Sequence, residues 1–445
     1  MSVNLSEYQK MPVAKAVVLN ALPAMAAMLM TLIYNLADTF FIGQTDDPYQ
    51  VAAVSLATPV FLLFMAVGTV FGIGGTSVIS RAFGEGQVQF ARKVSSFCMW
   101  GSLFCGVLLS VLFLVFMDPL LSLLGASTDT WQFTEEYLTI VAFCGPFAVI
   151  SSCFSNVLRA EGQATKAMNG QIIGNMLNMC LDAVLIMGFN WGIVGCAIAT
   201  LLGEIAGAIY YLAFFWQKKS SLSISHKNFT IKNGVIKKVF SIGIPASLGS
   251  ILMSVSNIIM NALMAKHGDM AVAGIGVAMK VTMITGMLSM GIGQGVQPLL
   301  GYSIGEKNQV RFRKTLRISI VFAVLVSVVL TVFCYLFRPQ IVGAFLSETE
   351  SFSYGMSFTG VMLWTGPAVG MFFVLTYALQ AMGAAVPSLI INISRQGLIF
   401  IPVVIVMDRI FGAAGLAWGQ PVADMVSLVM SAVFCGAAMK KTQLY

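Results

Sequence analysis

The chain has 445 residues, of which 58% are hydrophobic and only 10% charged, with a formal net charge of +7. Globular domains carry about 25% charged residues, so a soluble fold would leave a large apolar surface facing water. Short polar loops at regular intervals also exclude a featureless apolar polymer, which leaves a membrane protein whose helices each need roughly 20 apolar residues.

Apolar stretches fall at 16–41, 51–80, 93–117, 134–156, 165–188 and 191–216, then at 238–265, 271–300, 315–337, 354–382, 386–407 and 412–438. Each predicts a helix, because lipid cannot satisfy the polar groups of an open backbone. Those beyond the minimum length have room to tilt. The expected fold class is therefore all-α integral membrane: twelve transmembrane helices in two pseudo-symmetric six-helix bundles, 1–216 and 238–445, joined by a basic cytoplasmic linker at 217–237.

The loops orient this arrangement. An inside N-terminus puts Lys10, Lys15, Arg81, Arg92, Lys93, Arg159 and Lys166 on the cytoplasmic side. Lys218, Lys219, Lys227, Lys232, Lys237 and Lys238 join them from the linker, and Lys307, Arg311, Arg313, Lys314, Arg317, Lys440 and Lys441 follow. The other side receives only Lys266, Arg338 and Arg409, a split of 20 to 3 that the positive-inside rule explains with both termini cytoplasmic. The basic excess thus sets topology and requires no nucleic-acid partner. The first apolar stretch carries Asn35 and Asp38 rather than a small-residue cleavage site, so no signal peptide is expected. All eight cysteines lie within predicted helices without a CxxC pair, which reads as buried free thiols.

The chain also repeats itself at an offset of about 221 residues. Pro23 then falls near Pro245 and Asn35 near Asn257, while Gly72 and Gly74 meet Gly293 and Gly295. "LRAEG" ending at Gly162 matches "LQAMG" ending at Gly383, and "GIVGCA" from Gly192 matches "GAAGLA" from Gly412, aligning Glu204 with Asp424. Six helices per copy make this a parallel duplication, an architecture suited to alternating access with a substrate cavity between the halves.

Ionisable groups inside the hydrocarbon layer are costly and mark functional sites. Those present are Asp38, Asp182, Glu204, Asp424, Lys280 and Arg395. Asp38 and Asp182 fall late in two helices that run the same way, so they share a depth. Asn175, Asn178 and Asp182 have i, i+3, i+7 spacing and face one side of their helix, as Tyr34 and Asn35 neighbour Asp38 on theirs. Two carboxylates with amide oxygens repel each other when buried and attract a small cation, or a proton in its place. The competing reading is that such groups only hydrogen-bond between helices. Glu204 and Asp424 are secondary candidates, and Lys280 and Arg395 have no partner identifiable in the sequence. Pro23 lies within the first helix and is expected to kink it as a hinge. Met279, Met283, Met287 and Met290 recur at helical spacing; Met283 and Met287 with Tyr34, Tyr137 and Phe154 are candidates for a cavity accepting amphiphilic cations.

Several segments carry a family resemblance. "LPAMAAMLMTLIYNLADTFFIG" ending at Gly43, "GTSVISRAFGEG", "LRAEGQ" and "NMLNMCLDAVLIMG" resemble the multidrug and toxic compound extrusion (MATE) family, nearest its bacterial MepA-type and DinF-type branches. The resemblance implies a secondary antiporter of the bacterial cytoplasmic (inner) membrane, exporting amphiphilic, often cationic compounds in exchange for H+ or Na+. It assigns the ion to Asp38, to Asn178 and Asp182 in an "NxxxD" pattern, and to Thr200. The seventh helix lacks a glutamate and the tenth an aspartate, so coupling is expected from the N-terminal half. The alternative is a flippase for a lipid-linked substrate, disfavoured by the scarcity of bases within helices. No GxxxxGK[ST] loop suggests an ATP-driven pump. An enzyme is not expected, since His226 and His267 fall in loops and no nucleophile–base pair appears. No resident cofactor or metal is expected; the transported ion, H+ or Na+ at Asp38, Asn178 and Asp182, is the only inorganic ligand in view. The chain is expected to act as a monomer on small molecules within a lipid bilayer.

Overall fold

Twelve apolar stretches become helices in the computed structural model, which describes residues 10–45, 47–217 and 220–442. We number the spans α1 to α12. In the first half these are Val13–Gly43, Pro48–Gly84, Val88–Val115, Trp131–Ala160, Ala164–Gly188 and Gly192–Trp216 (α1–α6). In the second half α7 is Val235–His267, α8 Asp269–Gly305 and α9 Gln309–Leu336. Span α10 is broken into Thr349–Leu363 and Gly366–Ala381, bent by 46°, with Pro367 at the start of its second part. The last apolar run, Ala385–Lys441, reads as one 57-residue helix, but Gly412 interrupts it at φ 60, ψ −143. Its repeat mate Gly192 has φ 51 at the turn between α5 and α6. Both are left-handed positions that glycine alone enters cheaply. The break therefore separates α11 (385–411) from α12 (413–441), and the spans among the described residues number twelve. Lys218 and Lys219, counted above among the linker bases, lie outside the described residues.

The backbone divides into two compact units. One is Ala26–Gly243; the other holds 10–25 together with the chain from Ile244 onward. The opening turns of each half's first helix thus belong to the other half's unit, and the exchange occurs beside Pro23 and Pro245. Glycines make room for it. In the first unit a Cβ on Gly74 would lie 2.2 Å from the Val239 carbonyl oxygen, and one on Gly243 2.0 Å from that of Val70. In the second, a Cβ on Gly295 would meet the Asn20 carbonyl oxygen at 2.5 Å. The glycine runs matched in the repeat are therefore packing surfaces, where small residues let helix backbones touch.

In the first unit α4 is the central helix, 72% of its apolar window being buried against 28% for α3. Its buried face joins two cores, one around Phe71, Ile79, Phe97 and Phe154, the other around Phe64, Tyr137, Leu138 and Val141. The outer faces stay apolar: Phe104, Val107, Leu108, Val111 and Val115 of α3 are exposed, at the spacing of a lipid-facing stripe. In the second unit Ile275, Phe358, Phe400 and Leu416 build the corresponding core.

The described part of the linker is strapped along α3. Arg92, Ser96 and Trp100, spaced i, i+4, i+8, donate side-chain hydrogen bonds to the carbonyls of Ser221, Ser225 and Ile224. Phe229 stacks on Phe97 with ring centroids 6.1 Å apart. At the end of α4 the Glu161 carboxylate accepts hydrogen bonds from the Ser220 hydroxyl and the Ser221 N–H.

Candidate cation site

Helices α5 and α6 pack antiparallel along two matched stripes. On α5 the buried positions Gly170, Gly174, Asn178 and Asp182 follow at four-residue intervals. On α6 the buried positions Cys196, Thr200, Gly203 and Gly207 face them. A Cβ on Gly207 would lie 3.5 Å from the Gly170 carbonyl oxygen, and one on Gly174 2.9 Å from that of Gly203. At the next rung the Asn178 amide donates to the Thr200 hydroxyl at 3.2 Å. The last rung brings Asp182 to Cys196. Small residues at one end hold the helices close, so polar groups at the other end are forced together.

Asp38 of α1 completes that end. The Cys196 thiol donates to an Asp38 carboxylate oxygen at 3.2 Å. One ligand atom each from Asp38, Asp182 and Cys196 lies within 4.8 Å of the other two. Asp182 is fully enclosed, and neither of its carboxylate oxygens has a hydrogen-bond partner; the Asn178 carbonyl oxygen is likewise unpartnered. A buried, unpartnered carboxylate is expensive unless something else occupies the space beside it. Around the cluster, Tyr34 lies near Thr200 and Asp38, and Tyr137 near Cys196. Immediately after Asp182 the α-helix loosens into a π-helical segment, Ala183–Gly188, a local irregularity typical of functional positions.

Of the residues singled out in the sequence, Asp38, Asn178, Asp182 and Thr200 converge here, with Tyr34 and Tyr137 in the surrounding wall. Tyr137 was expected at a drug cavity; it stands instead against the carboxylate cluster, 8% exposed. Asn35 is exposed, Asn175 is half-buried beside the α5 stripe, and Pro23 is half-buried within an unbroken α1. Phe154, also expected at the cavity, is wholly enclosed and meets Phe215 edge-on at 5.2 Å, so core packing leaves it no free face. Met283 is exposed and Met287 half-buried on α8. Glu204 lies one turn beyond Thr200, near Ser151 of α4.

The repeat mate of Glu204 is placed quite differently. Asp424 forms an ion pair with Arg395 at 2.8 Å and accepts further hydrogen bonds from Gln420 and Thr365. The Arg395 guanidinium lies over Phe372 at 4.8 Å and Phe373 at 5.2 Å. Arg395, without an identifiable partner in the sequence, thus has one, and the two acids are not equivalent polar packing groups. Lys280 is exposed, its ammonium 5.6 Å from the Phe345 ring centre. Sequence reasoning missed Cys196, whose proximity to Asp38 depends on three helices meeting; the only local signal is its i, i−4 spacing from Thr200. It also missed the His267–Asp408 hydrogen bond, 2.6 Å long, beside the Gly412 break.

The MatE family model matches the chain twice, at residues 23–184 and 245–406. The chain belongs to the MATE family. The two matches begin at the paired Pro23 and Pro245, so the duplication and the family domain coincide. Among curated relatives, the multidrug export protein MepA of Staphylococcus aureus (strain MSSA476) is 30% identical over 417 residues, covering 94% of this chain and 92% of its own. MepA of Staphylococcus haemolyticus is 31% identical over 429 residues with the same coverage. The fold is that of solved MATE structures. One, in complex with MaL6, superposes with a TM-score of 0.95 at 23% identity over all of both chains. Another, an outward-facing multidrug resistance MATE family transporter, gives 0.93 at 24% identity over 97% of each.

Proposed function

We propose that this MATE-family protein exports amphiphilic, often cationic small molecules across a bacterial cytoplasmic membrane in exchange for protons, by alternating access. The observation that carries the reading is the enclosed Asp182 carboxylate, with both oxygens unpartnered, beside Asp38. Two acids held this close in a pocket without a basic partner repel one another when both are charged. Taking up a proton relieves that repulsion, and releasing it restores it, so occupancy biases the surrounding helices between two arrangements. The export of drugs follows the similarity to MepA. The basic loop asymmetry supports a cytoplasmic location for both termini.

A proton is favoured over Na+ because the third corner of the cluster is the Cys196 sulfur, a soft donor, whereas alkali ions favour all-oxygen shells. The unpartnered oxygens of Asn178 and Asp182 supply the one argument for Na+. Ethidium efflux from cells lacking their own pumps, or uptake into everted vesicles, decides between them with each gradient imposed separately. The expected result is transport driven by the proton gradient alone and abolished in Asp38→Asn. Transport on a sodium gradient alone would replace the proton. If folded protein moves no cationic dye under either gradient, drug export falls and flipping of a lipid-linked substrate takes its place.

A further inference from the structure

The cluster contains a group that proton or alkali-ion exchange does not need. The Cys196 thiol lies within reach of two carboxylates and donates to one of them. Tetrahedral zinc holds sulfur at about 2.3 Å and carboxylate oxygen at about 2.0–2.2 Å, which sets a sulfur-to-oxygen edge of about 3.5 Å. The observed edge between Cys196 and Asp38 is 3.2 Å, and the remaining ligand atoms lie within 4.8 Å. The two remaining edges both involve Asp182; a swing of its carboxyl closes them, and no hydrogen bond holds that group, since both of its oxygens lack a partner. The unpartnered Asn178 carbonyl oxygen lies one turn along the same buried stripe, and water completes the fourth position.

We propose that Asp38, Asp182 and Cys196 form a binding site for a thiophilic divalent cation, zinc or cadmium, and that its occupation blocks exchange. On binding, the sulfur–hydrogen bond breaks and a sulfur–metal bond forms. The proton leaves along the hydrogen bond to Asp38 and passes to solvent, with no change in oxidation state. With the thiol deprotonated, the metal's two positive charges meet three anionic ligands, which leaves the cluster at a net charge of −1, the same as two carboxylates sharing one proton. The metal also ties α1, α5 and α6 together through one atom, so the helices cannot move past one another while it stays. The inhibitory half of the proposal rests on the exchange reading above; the binding half does not.

The test uses purified full-length protein in lipid nanodiscs, with a phosphine reductant, titrated with cadmium chloride. The thiolate-to-cadmium charge-transfer band in the ultraviolet reports sulfur ligation, and calorimetry reports stoichiometry and affinity. Wild type is expected to bind one cadmium with that band. Cys196→Ser and Cys196→Ala should lose the band, and Asp182→Asn should weaken binding by more than about tenfold, at least the loss that removing an outer-sphere partner brings. Cys180→Ser, which removes an exposed thiol of α5 outside the cluster, should keep both. Circular dichroism and a single elution peak establish that each variant is folded. A band that survives in both Cys196 variants, or is absent from wild type, overturns the site. Cadmium should also halt dye efflux by wild type, and a chelator should restore it; binding without inhibition overturns the blocking role. Cadmium binding by a wild type that moves no dye removes the exchange reading and leaves the metal site standing.

Discussion

Arg395 and Asp424 show what a single substitution between repeats can do. At the repeat offset of 221, Arg395 occupies the position of Gly174 in the first half. There, Gly174 and Gly203 let the backbones touch; here the Arg395 guanidinium pairs with the buried Asp424, whose repeat mate is Glu204. The second half thus carries its own tethered cation beside a buried acid. Removing one partner of a buried pair strands the other, at a cost of about 3–5 kcal/mol. Arg395→Met and Asp424→Asn are each expected to lower thermal stability by that order, and the double variant by less than their sum, read from melting curves of the purified proteins. Glu161 makes a prediction of a different kind. Burial pushes its carboxyl above the ordinary range, partly opposed by hydrogen bonds from Ser220 and Ser221. An acid whose folded value is raised contributes stability at low pH and loses it as pH climbs through that raised value. The stability of Glu161→Gln relative to wild type should therefore rise as pH climbs from the ordinary carboxylate range through that raised value and then level off, and a flat difference would remove the assigned cause.

Among elements, the α5–α6 pair positions the site most directly. A methyl group on Gly174 or Gly203 would lie within 2.9 Å of the facing carbonyl oxygen, so the helices must part. Overpacking of this kind costs about 1–3 kcal/mol. We expect Gly174→Val to leave a folded protein with dye efflux largely lost, because separating the stripes pulls Asn178 from Thr200 and Asp182 from Cys196. Gly188→Ala, at the end of the same span with nothing within 4 Å of its Cβ, should transport normally. The same pair shows what was legible beforehand. Asn178 and Asp182 were readable as one face because helical spacing is local, and Asp38 because an acid in lipid needs a reason. Thr200 came through the family resemblance. Cys196 was not readable as part of the site, since a thiol in an apolar helix carries no mark of its neighbours. Phe154 and Tyr137 looked alike as aromatics in one helix, yet Phe154 packs wholly within one core against Phe215 while Tyr137 closes another core beside the acids. The break at Gly412 was readable through its mate Gly192, although the helix is otherwise continuous across it.

For the whole molecule, the repeat was legible from the glycines and prolines because those residues do backbone work that side-chain drift cannot replace. What the offset alone did not reveal is the exchange of helix ends: 10–25 lies in the second unit and the start of α7, through Gly243, in the first. Cutting the chain within 217–237 should therefore yield two fragments of which neither folds into a working unit alone, while co-expression restores dye efflux. Independent folding of either half, shown by protease resistance after purification, would contradict this. The exchange also bears on descent. Before duplication, a six-helix ancestor would have lacked the opening turns its own bundle needed, and only a second copy in the same orientation could lend them. On this argument we expect two separate copies to have exchanged their opening turns, an arrangement that joining them end to end makes permanent. In one chain the two copies are free to differ, as the unpartnered Asp182 carboxylate of the first half and the paired Asp424 of the second do.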